Sequence, residues 1–228
     1  MKHTLYYYPG NANLAAHILL EEVGCEYELV LVDRSHRAQK TDEYLRLNPN
    51  GTIPTLVSGS LVLFETAAIC LHISDQHGSA CLAPPLGSPE RAHFYKWMFF
   101  LSSTVQPAYM AFRYPEKHAL LTYAAASEAD SAHILQAVRS SAAERATKAF
   151  EVIEQSLGEG GPFMLGAKYS ACDAYLYMLA WWARKLPKSP GQLRRVRLCI
   201  EAVASRGATK RACAAEGVEV YDPALTSA

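Results

Sequence analysis

Asn48-Pro49-Asn50-Gly51-Thr52-Ile53-Pro54-Thr55-Leu56-Val57, then Ser58-Gly59-Ser60, then Leu61-Val62-Leu63-Phe64-Glu65-Thr66, is the stretch on which the fold of this chain turns. Pro49 and Asn50-Gly51 mark a tight turn. Pro54 enters a short apolar run, where proline is tolerated at the first residue of a strand, and the Ile53-Pro54 bond is a candidate for the cis form. A cis bond there would turn the N–H and C=O of Ile53 outward, towards a ligand. Ser58-Gly59-Ser60 joins two apolar runs as a hairpin. Glu65-Thr66 then sets a carboxylate and a hydroxyl beside the first turn of a helix over Ala67–Ile73, where free N–H groups favour anions. Each feature alone fits an ordinary loop, hairpin or cap; their order is more specific.

Upstream, Thr4 to Tyr8 is rich in aromatics and reads as a strand. Pro9-Gly10-Asn11 breaks it. Leu14, Ala15, Ile18, Leu19 and Val23 recur at helical spacing, with Glu21 and Glu22 on the other face, and Gly24 ends that helix. Glu28 to Val32 is a second strand, parallel to the first if the crossover is right-handed. Gln39 to Leu47 can form a short helix. The first 80 residues therefore read β-α-β-α-β-β-α.

Downstream, Ala83-Pro84-Pro85-Leu86-Gly87-Ser88 is the clearest linker, and beyond it strand signals disappear. Residues 1–80, 81–88 and 89–228 thus divide into a mixed α/β domain, a linker and an all-α domain. Ser88-Pro89 caps a helix running to about Arg113, which Pro107 should kink or divide. Lys117 to Ala132 reads as a short helix and a loop. A long helix follows from about Ser131 to Leu157. Ser170 and Asp173 have the spacing of a capping box before an apolar helix over Ala171–Ala183. Leu193 to Val203 and Thr209 to Ala215 form two more short helices, and Gly217 to Ala228 a tail packed back through Val218, Val220 and Tyr221.

The 228 residues balance 22 Lys and Arg against 22 Asp and Glu. That zero net charge argues against a nucleic-acid or membrane-surface role. No apolar run approaches the roughly 20 residues needed to span a bilayer, and the N-terminal run has no signal-peptide core. The six cysteines are scattered, with no Cys-x-x-Cys and no metal spacing with His. They are expected to be reduced, mostly packing thiols of a cytoplasmic protein, with no metal.

The proline loop, the Glu-Thr pair, the linker and the capping box together resemble the glutathione S-transferases: a thioredoxin-like N-terminal domain followed by an all-α C-terminal domain. The resemblance implies that glutathione is a co-substrate. Ile53, before Pro54, would pair its backbone with the cysteinyl part, with Thr52 beside it. Glu65 and Thr66 would hold the γ-glutamyl end, Thr66 standing where Ser is usual. Gln39 would help to hold the glycyl carboxylate, although a solvated surface side chain is the better reading of that position. The capping box would serve folding, with Tyr169 as its apolar staple and Ala174 as a poor partner for it.

The thiol would then face Tyr7-Tyr8-Pro9-Gly10-Asn11-Ala12-Asn13. This run, with Leu14 and His17-Ile18, is similar to the bacterial beta class. That class has a cysteine where this chain has Ala12, so no protein thiol is at hand for a mixed disulfide. Asn11, then Asn13, then Tyr7 are the candidates to stabilise the thiolate. An Asn amide donates a hydrogen bond but cannot act as a base. A turn or cap residue is the other reading of Asn11, and an ordinary strand aromatic that of Tyr7. The second substrate, a small hydrophobic electrophile, would meet Tyr109, Phe112 and Arg113. The beta class His-Lys pair on this helix is replaced by Gln106-Pro107. Trp181 and Trp182 read most simply as core.

Three functions stay open on these residues: conjugation of glutathione to an electrophile, reduction of a glutathione-linked disulfide or a peroxide, and non-catalytic binding of a ligand or partner. A homodimer is implied by the resemblance alone.

Overall fold

Strand β1 (His3–Tyr7) lies at the centre of a four-stranded sheet in a computed structural model that describes residues 2–119, 127–158 and 160–223. Strand β2 (Tyr27–Leu31) pairs with it in parallel, His3 opposite Tyr27 and Tyr7 opposite Leu31. The connecting helix α1 (Leu14–Val23) stops at Gly24, whose φ of 63° is the left-handed cap that glycine adopts freely. Strand β3 (Thr55–Ser58) runs antiparallel to β1, and β4 (Leu61–Phe64) antiparallel to β3, giving the order β2-β1-β3-β4. This is the mixed thioredoxin-like sheet expected from the sequence.

Two local details differ. A 3-10 turn over Ala38–Lys40 carries Gln39, and helix α2 (Asp42–Leu47) starts separately. The cause is Thr41, whose hydroxyl accepts the N–H of Tyr44 and caps α2 afresh. Helix α1 is not one-sided: Leu14 to Leu20 are all buried, His17 included. The sheet covers one side of α1, and helices from the C-terminal half cover the rest. Helix α3 (Thr66–Gln76) completes this half.

The C-terminal half is helical. Helix α4 (Pro89–Phe100) is capped by the Ser88 hydroxyl. A π turn over Leu101–Val105 separates it from α5 (Gln106–Arg113). Pro107, in the first turn of α5, has no N–H to continue the i to i−4 ladder, and the helix widens just before it. Helix α6 (Glu128–Ser156) begins three residues before its expected start, because Ser127 and Asp130 form a capping box of their own. The expected short helix and loop over Lys117 to Ala132 lies partly outside the described residues, as does the end of the 217–228 tail.

Helix α7 (Ala171–Ala183) is the axis of this half, buried along nearly its whole length. Its capping box forms, and the Asp173 carboxylate accepts the N–H of Ser170 at 2.8 Å and that of Met164 at 2.7 Å. Burial raises its pKa to about 6 against those hydrogen bonds. Tyr169 is no staple onto Ala174; it packs edge-on against Phe163 and under the Arg206 guanidinium. Helix α8 (Arg194–Ser205) packs on α7 and α6, and α9 (Gly207–Glu216) closes the chain back onto α1. Arg206 pairs with Glu22, and Arg211 with Glu21. One apolar core runs from Leu5 and Leu56 in the sheet through α1 and α3 to Tyr175 and Tyr177 on α7. Among the described residues no helix is long and apolar enough to cross a membrane.

Candidate functional site

A cleft of about 630 Å³ opens where the loop after β1, the loop before β3 and the start of α3 face α5 and the end of α7. Asn11, Gln39, Thr52, Ile53, Pro54, Glu65, Thr66, Tyr109 and Arg113 all line it. These nine residues, chosen at wide spacing in the sequence, converge on one place.

The loop after β1 is shaped from behind. Asn11 N–H closes a turn on Tyr8 C=O at 3.0 Å. The Asn11 side-chain oxygen accepts Ala12 N–H at 2.8 Å, its NH2 group has no partner among the described residues, and the residue lines the cleft. Asn13 is fully buried instead. Its oxygen accepts Tyr8 N–H at 3.1 Å and its NH2 donates to Glu216 at 2.8 Å. Both groups of Asn13 hold the loop, so it does not reach the cleft. Tyr7 and Phe112, also proposed from the sequence, do not line the cleft either. Tyr7 lies in the β1 ladder opposite Leu31, and Phe112 packs against Tyr109 and the core.

Glu216, the last residue of α9, was not legible as a site residue. Besides Asn13 it accepts Gly10 N–H at 2.8 Å, and one of its oxygens lies 2.8 Å from His17 Nδ1. The second His17 nitrogen lies 3.0 Å from the Tyr27 hydroxyl, which in turn donates to Glu21. Burial, then the Glu21 carboxylate, raises the Tyr27 pKa, so this phenol stays protonated. From the front, Trp182 Nε1–H donates to Gly10 C=O at 2.9 Å, and the Trp181 ring would lie 2.7 Å from a Cβ at residue 10. Gly10 (φ 64°) is therefore required twice, by its backbone angle and by the close ring. The two tryptophans are walls of the cleft as well as core.

The Ile53-Pro54 bond is cis. Ile53 makes no backbone hydrogen bond among the described residues, so its N–H and C=O are available at the cleft. Thr52 C=O accepts from Tyr44 and Asn48 behind the loop. Glu65 is exposed, at a φ of 74° that few side chains adopt without cost. Thr66 is buried and its hydroxyl donates to Ala12 C=O at 3.0 Å, tying α3 to the start of α1. Its lone pairs, and the first N–H groups of α3, remain for a ligand. Gln39 Oε1 is buried without a partner among the described residues. Beside it Lys40, another residue not singled out in the sequence, donates to Asn50 C=O at 3.0 Å and lines the cleft.

The charge of the lining is one-sided although the chain is neutral. Arg34, Lys40, Arg113, Lys117, Arg184 and Lys185 face it, against Glu65 as the one lining carboxylate among the described residues. Arg34 and Lys40 lie with the sheet loops. The other four flank Tyr109, Tyr114, Trp181 and Trp182, with Arg113 and Lys117 over Tyr114 and Arg184 over Trp181. Burial raises the Tyr109 pKa, so its hydroxyl is protonated at neutral pH. Gln106, on the same wall, accepts from Tyr175. No cysteine is among the residues that line the cleft.

Comparison with known proteins agrees with this geometry. Residues 1–75 match the family model of the glutathione S-transferase N-terminal domain. Glutathione S-transferase GST-4.5 of Xanthomonas campestris pv. campestris is 28% identical over 181 residues, 79% of this chain and 82% of that protein. The bacterial GST BphK, solved as a ternary complex, is 30% identical with a TM-score of 0.77, over 94% of this chain and all of the other. A sphingomonad glutathione S-transferase solved with glutathione is 29% identical with a TM-score of 0.76, over 95% of this chain and 100% of the other. The chain belongs to the glutathione S-transferase family.

Proposed function

We propose that the cleft binds glutathione, holds its thiol as the thiolate and transfers it to an electrophilic carbon. The observation that carries this is the meeting of Asn11, Ile53, Glu65, Thr66 and Lys40 around one cleft. Glutathione has two carboxylates, one ammonium and a thiol, and this lining offers a complement for each. Glu65 suits the ammonium. Thr66 and the N-terminus of α3 suit the adjacent carboxylate. Lys40, with Arg34 and Gln39 beside it, suits the glycyl end. Ile53 offers a backbone N–H and C=O to the cysteinyl unit.

The thiol then falls to Asn11, whose NH2 is a neutral donor. A donor stabilises the thiolate over the thiol and lowers a pKa that is otherwise near 8.5. The thiol proton leaves to solvent. The sulfur lone pair forms a C–S bond, and the leaving group departs with its electron pair. The aromatic wall with its four cations suits an electrophile that has a flat apolar body and an anionic group.

Ultraviolet titration of bound glutathione tests this directly. A thiolate absorbance that develops well below pH 8.5 is the expected result. Binding without such a shift, or no binding at millimolar glutathione, would overturn it.

The same four cations favour a second substrate class, a glutathione-linked disulfide. The bound thiolate attacks the glutathionyl sulfur, oxidised glutathione forms and the other thiolate leaves, with no protein cysteine needed. Turnover of such a disulfide compared with an anionic aryl halide separates the two.

We also propose a homodimer. It is supported by exposed apolar side chains on β4 and α4, with Leu61 and Val62 each 40% exposed and Phe99 64% exposed. A monomeric mass by light scattering at micromolar concentration would refute it.

A further inference from the structure

His3, Cys25 and His77 converge at the end of β1 opposite the cleft. His3 opens β1, Cys25 follows the Gly24 that ends α1, and His77 follows the last residue of α3. One donor atom from each lies within 4.8 Å of the others. His3 is only 2% exposed, yet neither of its ring nitrogens is well served. Nδ1 has no partner among the described residues, and Nε2 faces His77 Nε2 at 3.5 Å. An ordinary hydrogen bond to nitrogen or oxygen is about 2.7–3.2 Å, so the two rings are not held by a good one. Their separation matches something else. Zinc bonds imidazole at about 2.0–2.1 Å, and two such ligands at a tetrahedral angle stand about 3.3–3.4 Å apart.

We propose that His3, Cys25 and His77 form a zinc-type metal site, with two imidazoles and one thiolate as ligands. The donor set suits a borderline-soft d-block cation such as Zn²⁺ and not a hard cation, which would take oxygen. Cys25 releases its proton to solvent on binding, and water or a small anion fills the fourth position. Cys25 and His77 are half-buried, which gives the ion a way in. The ligands come from three elements spread over 75 residues, so linear spacing gives no sign of them. The ion would clip the first strand to the ends of α1 and α3. It shares no residue with the cleft, so glutathione binding and metal binding stand or fall separately.

Cobalt titration of the metal-free full chain, without glutathione, tests the site. The expected result is a thiolate-to-cobalt absorption band and tetrahedral visible bands that saturate at one equivalent and are displaced by zinc. Cys25→Ser removes the thiolate band. His77→Gln weakens binding by more than the about 10–100-fold typical of losing an outer-sphere partner. Circular dichroism and glutathione binding stay unchanged in both variants. Absence of a saturable band would overturn the proposal, as would a band that survives Cys25→Ser, or one lost with Cys81→Ser at the exposed thiol.

Discussion

The carboxylate of Glu216 accepts the backbone N–H of Gly10 at 2.8 Å across 206 residues of chain. The same carboxylate takes a hydrogen bond from Asn13 and contacts His17. The loop that would meet the thiol is thus held by a buried acidic side chain from α9. Glu216→Gln removes one acceptor and puts an NH2 among donors. It should cost about 1–3 kcal/mol of stability, read by urea unfolding, and weaken glutathione binding. An unchanged unfolding midpoint would mean that the network contributes nothing net.

Glu65 sits at a φ of 74°, so function and stability should diverge there. Glu65→Gly relieves about 1 kcal/mol of backbone strain, offset in part by the freer unfolded chain. Glutathione affinity should fall at least about tenfold, the loss of a charge-assisted hydrogen bond. Calorimetric Tm and glutathione binding measured on the same sample check both signs.

Asn11→Ala should leave the fold intact, because the Asn11 side chain bonds only the N–H of its neighbour among the described residues. The pKa of bound glutathione should rise towards 8.5, and conjugation at neutral pH should fall. Ultraviolet titration of the variant reads this out. An unshifted pKa would move the role to backbone N–H groups.

Arg184→Ala should lower kcat/KM for a carboxylate-bearing aryl halide by about three- to tenfold, and leave a neutral analogue nearly unchanged. Arg113, which is exposed, should show the smaller effect of the two. Salt should reduce the preference for the anion. Equal losses on both substrates would count against charge selection.

Asp173 gives a pH prediction. Its pKa is near 6 when folded, because burial outweighs its hydrogen bonds. In the unfolded chain it is near 3.9. The protonated form is thus favoured by folding. This contribution is fully present below about pH 4 and lost as pH rises towards 6. Asp173→Asn lacks that slope, so the stability gap between wild type and variant should shift between pH 4 and 6. Urea unfolding across that range measures it. Asp173→Ala should be worse at any pH, by about 2–4 kcal/mol, with the N–H groups of Met164 and Ser170 left buried.

The parts of the site that were legible in sequence are those built locally. Ile53-Pro54 and Glu65-Thr66 announce themselves because a turn, a hairpin and a helix start leave fixed residue signatures. Asn13 misled for a related reason. An Asn at a helix start looks the same whether it faces a cleft or a buried carboxylate 203 residues away. Glu216 itself is one Glu near the end of a short helix, and only packing of α9 on α1 makes it part of the loop. Lys40 lies next to Gln39, and that both of these adjacent polar residues reach the cleft depends on the 3-10 turn over Ala38–Lys40. Trp181 and Trp182 read as core because an apolar helix hides which end of it is open. Arg184-Lys185, which follow after Ala183, were the signal that this end meets a charged space.

The dependence of Gly10 on Glu216 also orders events during synthesis. The first strand and its loop leave the ribosome long before α9 exists. At roughly 5–20 residues per second the interval between the two is about 10–40 s. Throughout it, Gly10, Asn13 and His17 have no carboxylate to close on. The nascent N-terminal half can form its sheet, but the pocket becomes complete only as the final helix arrives, so a chain truncated before α9 would be made without a finished binding loop.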